Sequence, residues 1–126
     1  MKICCGTDII EIERIKKSIE NEKTGKAFLE RVYTEKEIAY CESKKKQRYQ
    51  HYAVRFAAKE ATFKAISDQI QDKYAIDWKD IEIIRNEQGR PGLNLRKVDL
   101  KEIEDIDLSL SHCKEYAVAN VTLLKK

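Results

Sequence analysis

The stretch RFAAKEATFKAI, Arg55 to Ile66, lies inside a helical pattern running from about Lys46 to Ile66, and it constrains the fold more than any other segment. At about 100° per residue, Tyr52, Phe56, Phe63 and Ile66 form a face of large residues, while Val54, Ala57, Ala58, Ala61 and Ala65 form a face of small ones. A helix that is apolar on two sides has to be covered on two sides. Glu60 and Lys64 fall together on a border between the faces, and Lys59 falls within the aromatic side. As an i,i+4 pair, Glu60 and Lys64 would contribute only about 0.2–0.5 kcal/mol. Leaving a charge unpaired in packed surroundings costs far more. Beyond the simple pair, these charges therefore point to a cleft, a metal or a ligand.

The 126 residues fit a single domain, 1–126, large enough to bury roughly two-thirds of the surface exposed when unfolded. Hydrophobic residues make up 42% and charged residues 37% of the chain, which excludes a disordered or fibrous protein. Twenty-five basic against 22 acidic residues leave a net charge of +3, too balanced for an obligate nucleic-acid binder. No apolar run approaches the roughly 20 residues of a membrane span and no signal-peptide pattern opens the chain. The four cysteines are dispersed without CxxC spacing. The expectation is a cytoplasmic protein with reduced thiols, bound neither to membrane nor to nucleic acid.

Along the chain, residues 2–10 read as a strand buried on both faces, carrying Asp8 near its end. Ile12, Ile15 and Ile19 mark a first helix whose polar side shows Arg14, Lys16 and Lys17, and a short second helix ends near Tyr33. Thr34 and Glu37 have capping-box spacing, with Tyr33 and Ile38 placed as a hydrophobic staple, so a third helix starts at Glu35. Residues 80–95 read as a hairpin around Gly89, Pro91 and Gly92, followed by a helical piece around Val98 to Ile103. Ile106, Leu108, Leu110 and His112 then alternate with Asp107, Ser109 and Ser111 on a strand, and a last strand follows the Lys114-Glu115 turn. The class is α+β, with helices packed on a small antiparallel sheet.

Asp8 and Glu60 are carboxylates emerging from packed elements. Two such groups suit Mg²⁺, which accepts one or two protein carboxylates plus waters and substrate phosphates; for Asp8 the alternative is a helix N-cap. His112 reads either as a ligand contact or as a core-edge histidine bonded to backbone. Lys44, Lys45, Lys46 and Arg48 form either a solvated helix start or a phosphate contact.

GTDIIEIERI (6–15), RFAAKEATFKAI (55–66) and LSLSHCKEYAVANV (108–121), with DWKDIEI (77–83) and GRPGLNL (89–95) between them, resemble the holo-[acyl-carrier-protein] synthase family of small phosphopantetheinyl transferases. The resemblance spans nearly the whole chain. It implies Mg²⁺-dependent transfer of 4′-phosphopantetheine from coenzyme A to a serine of acyl carrier protein, supporting fatty acid biosynthesis. It further implies a homotrimer with active sites at subunit interfaces. The family's metal ligands map onto Asp8 and Glu60, its catalytic lysine onto Lys64, its coenzyme-proximal histidine onto His112, and a carrier-protein contact onto Arg14. A coenzyme A site also needs cations away from the metal for the 3′-phosphate, and Lys46, Arg48 and Arg55 are the candidates. The chain departs from the family at Ile66-Ser67-Asp68-Gln69, where members carry a glycine-containing turn, and at Phe63, where small or polar residues are common. Two other classes stay open from the residues alone: a metal-independent module that binds acidic carrier proteins, and a nucleic-acid binder resting on Lys44–Arg48.

Overall fold

A computed structural model of the chain describes residues 1–69 and 76–126. The described elements are β1 (Lys2–Glu11), α1 (Ile12–Glu20), α2 (Gly25–Val32), α3 (Glu35–Glu42), α4 (Arg48–Ala65), β2 (Ile81–Arg85), β3 (Pro91–Leu95), β4 (Ile103–His112) and β5 (Tyr116–Lys125). β1, β5 and β4 form an antiparallel sheet in that order, and β2 pairs with β3 in a separate antiparallel hairpin. The protein is thus α+β. Among the described residues no helix is long and apolar enough to cross a membrane.

α4 lies across β1 and β5, as its two apolar faces require. Ala57, Ala58, Ala61 and Ala65 are buried against the sheet, where β5 answers with the equally small Ala117 and Ala119. The approach is closest at Gly6 of β1, where a Cβ would stand 1.9 Å from the carbonyl oxygen of Ala61. On the opposite side, Phe56 stacks on Trp78 with ring centroids 4.9 Å apart, and Phe63 meets the same indole edge-on at 5.7 Å.

The expected burial of β1 on both faces does not occur. Cys4, Gly6, Asp8 and Ile10 face the helices, but Ile3 is 67% and Ile9 64% exposed. Among the described residues, helices cover one face of the three-stranded sheet, so the strand alternates in accessibility despite its apolar composition. The helical piece expected at Val98–Ile103 is also absent. The Asp99 carboxylate accepts the Lys101 N–H at 3.0 Å, a local turn that competes with helix formation, and Ile103 already opens β4.

α3 begins at Glu35 through the expected capping box: Thr34 Oγ1 accepts the Glu37 N–H at 3.2 Å, and Glu37 Oε1 accepts the Thr34 N–H at 2.8 Å. The same buried carboxylate binds Lys59 Nζ at 2.8 Å, and its Oε2 takes the Ile83 N–H at 2.9 Å. Lys59 completes its shell with the carbonyls of Trp78 (3.0 Å) and Ile81 (2.6 Å). Glu37→Ala removes the counter-ion of a lysine that is 0% exposed. It is expected to destabilise the fold by about 3–5 kcal/mol, measured as a lower urea midpoint at unchanged slope.

Candidate active site

The packing of α4 on β1 at Gly6 and Ala61 sets what comes together two residues further along the strand. Asp8 points inward from β1 with its side chain 20% exposed, and Lys64 reaches it from the last turn of α4, Nζ to Oδ1 3.4 Å. Lys64 also donates to the Thr7 carbonyl at 2.9 Å. Among the described residues its ion pair is with Asp8, not with Glu60, so the simple i,i+4 pair does not form. Glu60 stands half-buried one turn earlier. Its carboxyl is held above the usual range, first by burial and then by the negative charge of Asp8, against the opposing pull of Lys64 and Arg14. Asp8, Glu60, Lys64 and Arg14 therefore share one electrostatic neighbourhood.

A carboxyl whose ionisation is opposed by burial and by a neighbouring carboxylate is a fitting seat for a divalent cation, which relieves that repulsion. Among the described residues no group of three His, Cys, Asp or Glu side chains could hold a metal ion. A pair of hard oxygen donors matches the needs of Mg²⁺, which keeps several waters, and not those of a structural zinc site.

Two of the remaining candidates, Arg55 and His112, are brought together elsewhere. His112, at the end of β4, lies 6.2 Å ring to ring from His51 on α4. Arg55 is buried, its guanidinium 4.2 Å from the centre of the Tyr40 ring, and its Nε has no hydrogen-bond partner among the described residues. Lys44 and Arg85 approach the same ring at 4.9 and 5.1 Å. Burial, followed by these cations and His112, lowers the His51 pKa to about 4, so that ring is neutral at pH 7. Along α4, His51 stands nine residues, roughly 13 Å, from Glu60, and Arg55 five residues, roughly 7 Å.

Lys46 and Arg48 join neither group. Lys46 is exposed in the 3₁₀ turn Lys45–Gln47, and Arg48 turns toward Glu42 at 3.8 Å and over Tyr49 at 4.6 Å. Arg14 lies in a groove between α1 and α2 whose lining includes Lys17, Phe28 and Arg31. The departing segment after α4 forms a 3₁₀ turn at Ser67–Gln69, with Ser67 Oγ donating to the Lys64 carbonyl at 3.0 Å. His51, Tyr40 and Arg85 were not legible as site candidates. Only the i,i+4 spacing of His51 and Arg55 signals that they share a helix face, and Arg85 reaches them through tertiary packing alone.

Residues 4–121 match the model of the 4′-phosphopantetheinyl transferase superfamily, so this fold is that of a phosphopantetheinyl transferase. The holo-[acyl-carrier-protein] synthase of Ruminiclostridium cellulolyticum is 47% identical over 125 residues, covering 94% of this chain and 90% of that protein. Among solved structures, an ACPS–CoA complex of Chronobacterium ammoniagenes superposes with a TM-score of 0.81 at 25% identity, covering 100% of this chain and 99% of the other. A holo-(acyl-carrier-protein) synthase of Bacillus anthracis in complex with CoA (3′,5′-ADP) gives 0.77 at 35% identity, covering 98% and 96%. The chain belongs to the holo-[acyl-carrier-protein] synthase family.

Proposed function

We propose that this chain, acting as one domain over 1–126, transfers 4′-phosphopantetheine from coenzyme A to a serine of apo acyl carrier protein. The reaction releases adenosine 3′,5′-bisphosphate, depends on Mg²⁺ and serves fatty acid biosynthesis in the cytoplasm. The observation that carries this reading is the meeting of Asp8, Glu60 and Lys64 at the seam of β1 and α4, with Lys64 Nζ 3.4 Å from Asp8. Asp8 and Glu60 would hold Mg²⁺, whose charge would neutralise the pyrophosphate and polarise the attacked phosphorus. Glu60 accepts the serine proton as the serine oxygen bonds to phosphorus. The phosphorus–oxygen bond to the bisphosphate breaks, and Lys64 stabilises and protonates the leaving oxygen. Arg55 and His112 supply a cation and a donor for the 3′-phosphate; Lys46 and Arg48, the other two candidates, stand apart from them within one chain. Arg14, in its basic groove with Lys17 and Arg31, receives the acidic carrier protein.

The separation of the carboxylate and cationic groups within one chain favours a site completed by a second copy, in a homotrimer. The bare outer face of the sheet, with Ile3, Ile9 and Tyr116 exposed, offers apolar surface for that assembly. Ile3→Lys is therefore expected to shift the protein toward monomer in analytical ultracentrifugation and to reduce transfer with it.

Lys64→Ala leaves both carboxylates in place and removes the ammonium that competes with a cation for Asp8. Isothermal titration is expected to show divalent-metal affinity equal to or tighter than wild type, with turnover slowed by about 10²-fold. The function itself is tested by following adenosine 3′,5′-bisphosphate from coenzyme A and Mg²⁺. Release that requires apo carrier protein is expected; equal release without it would replace transfer by hydrolysis. A binding module, the rival reading, would bind carrier protein without metal and release nothing.

A further inference from the structure

Lys59 takes no part in the chemistry above, yet it is completely buried beside Glu60 in the sequence. Its three donor positions are matched by three acceptors, Glu37 Oε1, the Trp78 carbonyl and the Ile81 carbonyl, at 2.8, 3.0 and 2.6 Å. Stability alone does not call for this arrangement, because well-packed apolar residues commonly replace a buried ion pair at no loss. What an apolar side chain of the same length lacks is a set of fixed directions.

Those directions matter because consecutive helical residues diverge by about 100°. Lys59 points to α3 and the turn leading into β2, Glu60 to the carboxylate site, and the Ala61 carbonyl packs against the backbone at Gly6. The Trp78 residue whose carbonyl Lys59 holds also lays its indole against Phe56 and Phe63, which flank Glu60 at i−4 and i+3 on α4. Gly6 fixes how closely the helix approaches the sheet, and Lys59 fixes its rotation about its own axis. With side-chain tips roughly 5–6 Å from that axis, a roll of about 10° shifts the Glu60 carboxylate by about 1 Å. Sites of this kind tolerate about 0.5 Å.

We infer that Lys59, anchored by Glu37, is a positioning residue that sets the roll of α4 and thereby aims Glu60 at the cation shared with Asp8. This rests on the metal reading of Asp8 and Glu60 given above.

The test uses the full chain with Mn²⁺ as probe, its affinity measured by electron paramagnetic resonance well below the melting temperature of every variant. Lys59→Met fills the space without the directed bonds and is expected to bind Mn²⁺ at least tenfold more weakly than wild type, with an unchanged circular dichroism spectrum. Leu123→Ala, a core truncation in β5 remote from Glu60, is expected to lower the melting temperature but to keep Mn²⁺ affinity within about twofold. Should Lys59→Met fail to fold, the double variant Lys59→Met/Glu37→Gln removes both charges and is expected to show the same loss. Wild-type affinity in the folded Lys59 variant, or an equal loss in Leu123→Ala, overturns the positioning role while leaving the metal site standing. Failure of both Lys59 variants to fold overturns it as well, by assigning the network to folding. A wild-type protein that binds no Mn²⁺ removes the metal reading itself, and the positioning role with it.

Discussion

Glu60→Gln is expected to lower phosphopantetheine transfer by about 10²–10³-fold while raising the melting temperature of the metal-free protein. The two effects share one cause. Glu60 is harder to ionise in the fold than in the unfolded chain because burial and Asp8 both oppose its charge. A carboxyl whose folded pKa is raised leaves the folded state holding more protons than the unfolded state across the interval between the two values. Stability is therefore lost as pH rises through that interval. The cost is absent below the ordinary carboxyl pKa and fully present once pH exceeds the raised value. Glutamine removes the charge, so its gain in melting temperature should be present at neutral pH and vanish in acid, where wild-type Glu60 is already protonated. Metal affinity should fall together with activity, since one of only two carboxylate donors is gone. Thermal scans of both proteins at neutral and acidic pH, with and without Mg²⁺, check this. Wild type alone should gain from the metal. A glutamine variant less stable than metal-free wild type at neutral pH would show that Glu60 is held by a structural bond instead.

The second large effect is expected at Gly6→Ala. The added Cβ would meet the Ala61 carbonyl oxygen at 1.9 Å, with the carbonyl carbon of Ala61 and the amide nitrogen of Ala65 both at 2.9 Å. All three obstacles are backbone, so no side chain can rotate away and β1 must separate from α4. Overpacking of a core costs about 1–3 kcal/mol where side chains can adjust; here the cost should reach or exceed the upper end. The movement also withdraws Asp8 from Lys64 and Glu60, since Asp8 is two residues along the same strand. A lower denaturant midpoint together with weakened divalent-metal binding is expected, and an alanine variant with wild-type stability would contradict the close contact.

Much of this arrangement can be read locally. The two apolar faces of α4, the Thr34–Glu37 capping box, the 81–95 hairpin and the alternation ending at His112 are each encoded within a few residues. The structure places them where those patterns indicate. Asp8 and Glu60 stand out in the sequence through the cost of burying carboxylates, and family resemblance sharpens that reading. What escaped is non-local. Lys59 finds its counter-ion 22 residues away in a glutamate already spoken for as a helix cap, and no spacing rule announces a residue with two duties. Lys64 bonds to Asp8 from 56 positions away instead of to its helical neighbour Glu60. Composition likewise suggested a strand buried on both faces at 2–10, because an apolar outer face reads the same whether a helix or nothing in the chain covers it. At 98–103, where a short helical piece is expected, the Asp99 turn prevails.

On the proposed function, the seam between β1 and α4 moves a phosphopantetheine arm onto a carrier protein. Intact-mass measurement of apo acyl carrier protein incubated with this chain, coenzyme A and Mg²⁺ tests it most directly. The carrier protein is expected to gain the mass of one phosphopantetheine group on its serine. The gain should disappear when Mg²⁺ is chelated and slow by about 10²–10³-fold when Glu60→Gln replaces the wild type. A carrier protein of unchanged mass, or a gain indifferent to both chelation and Glu60, would contradict it.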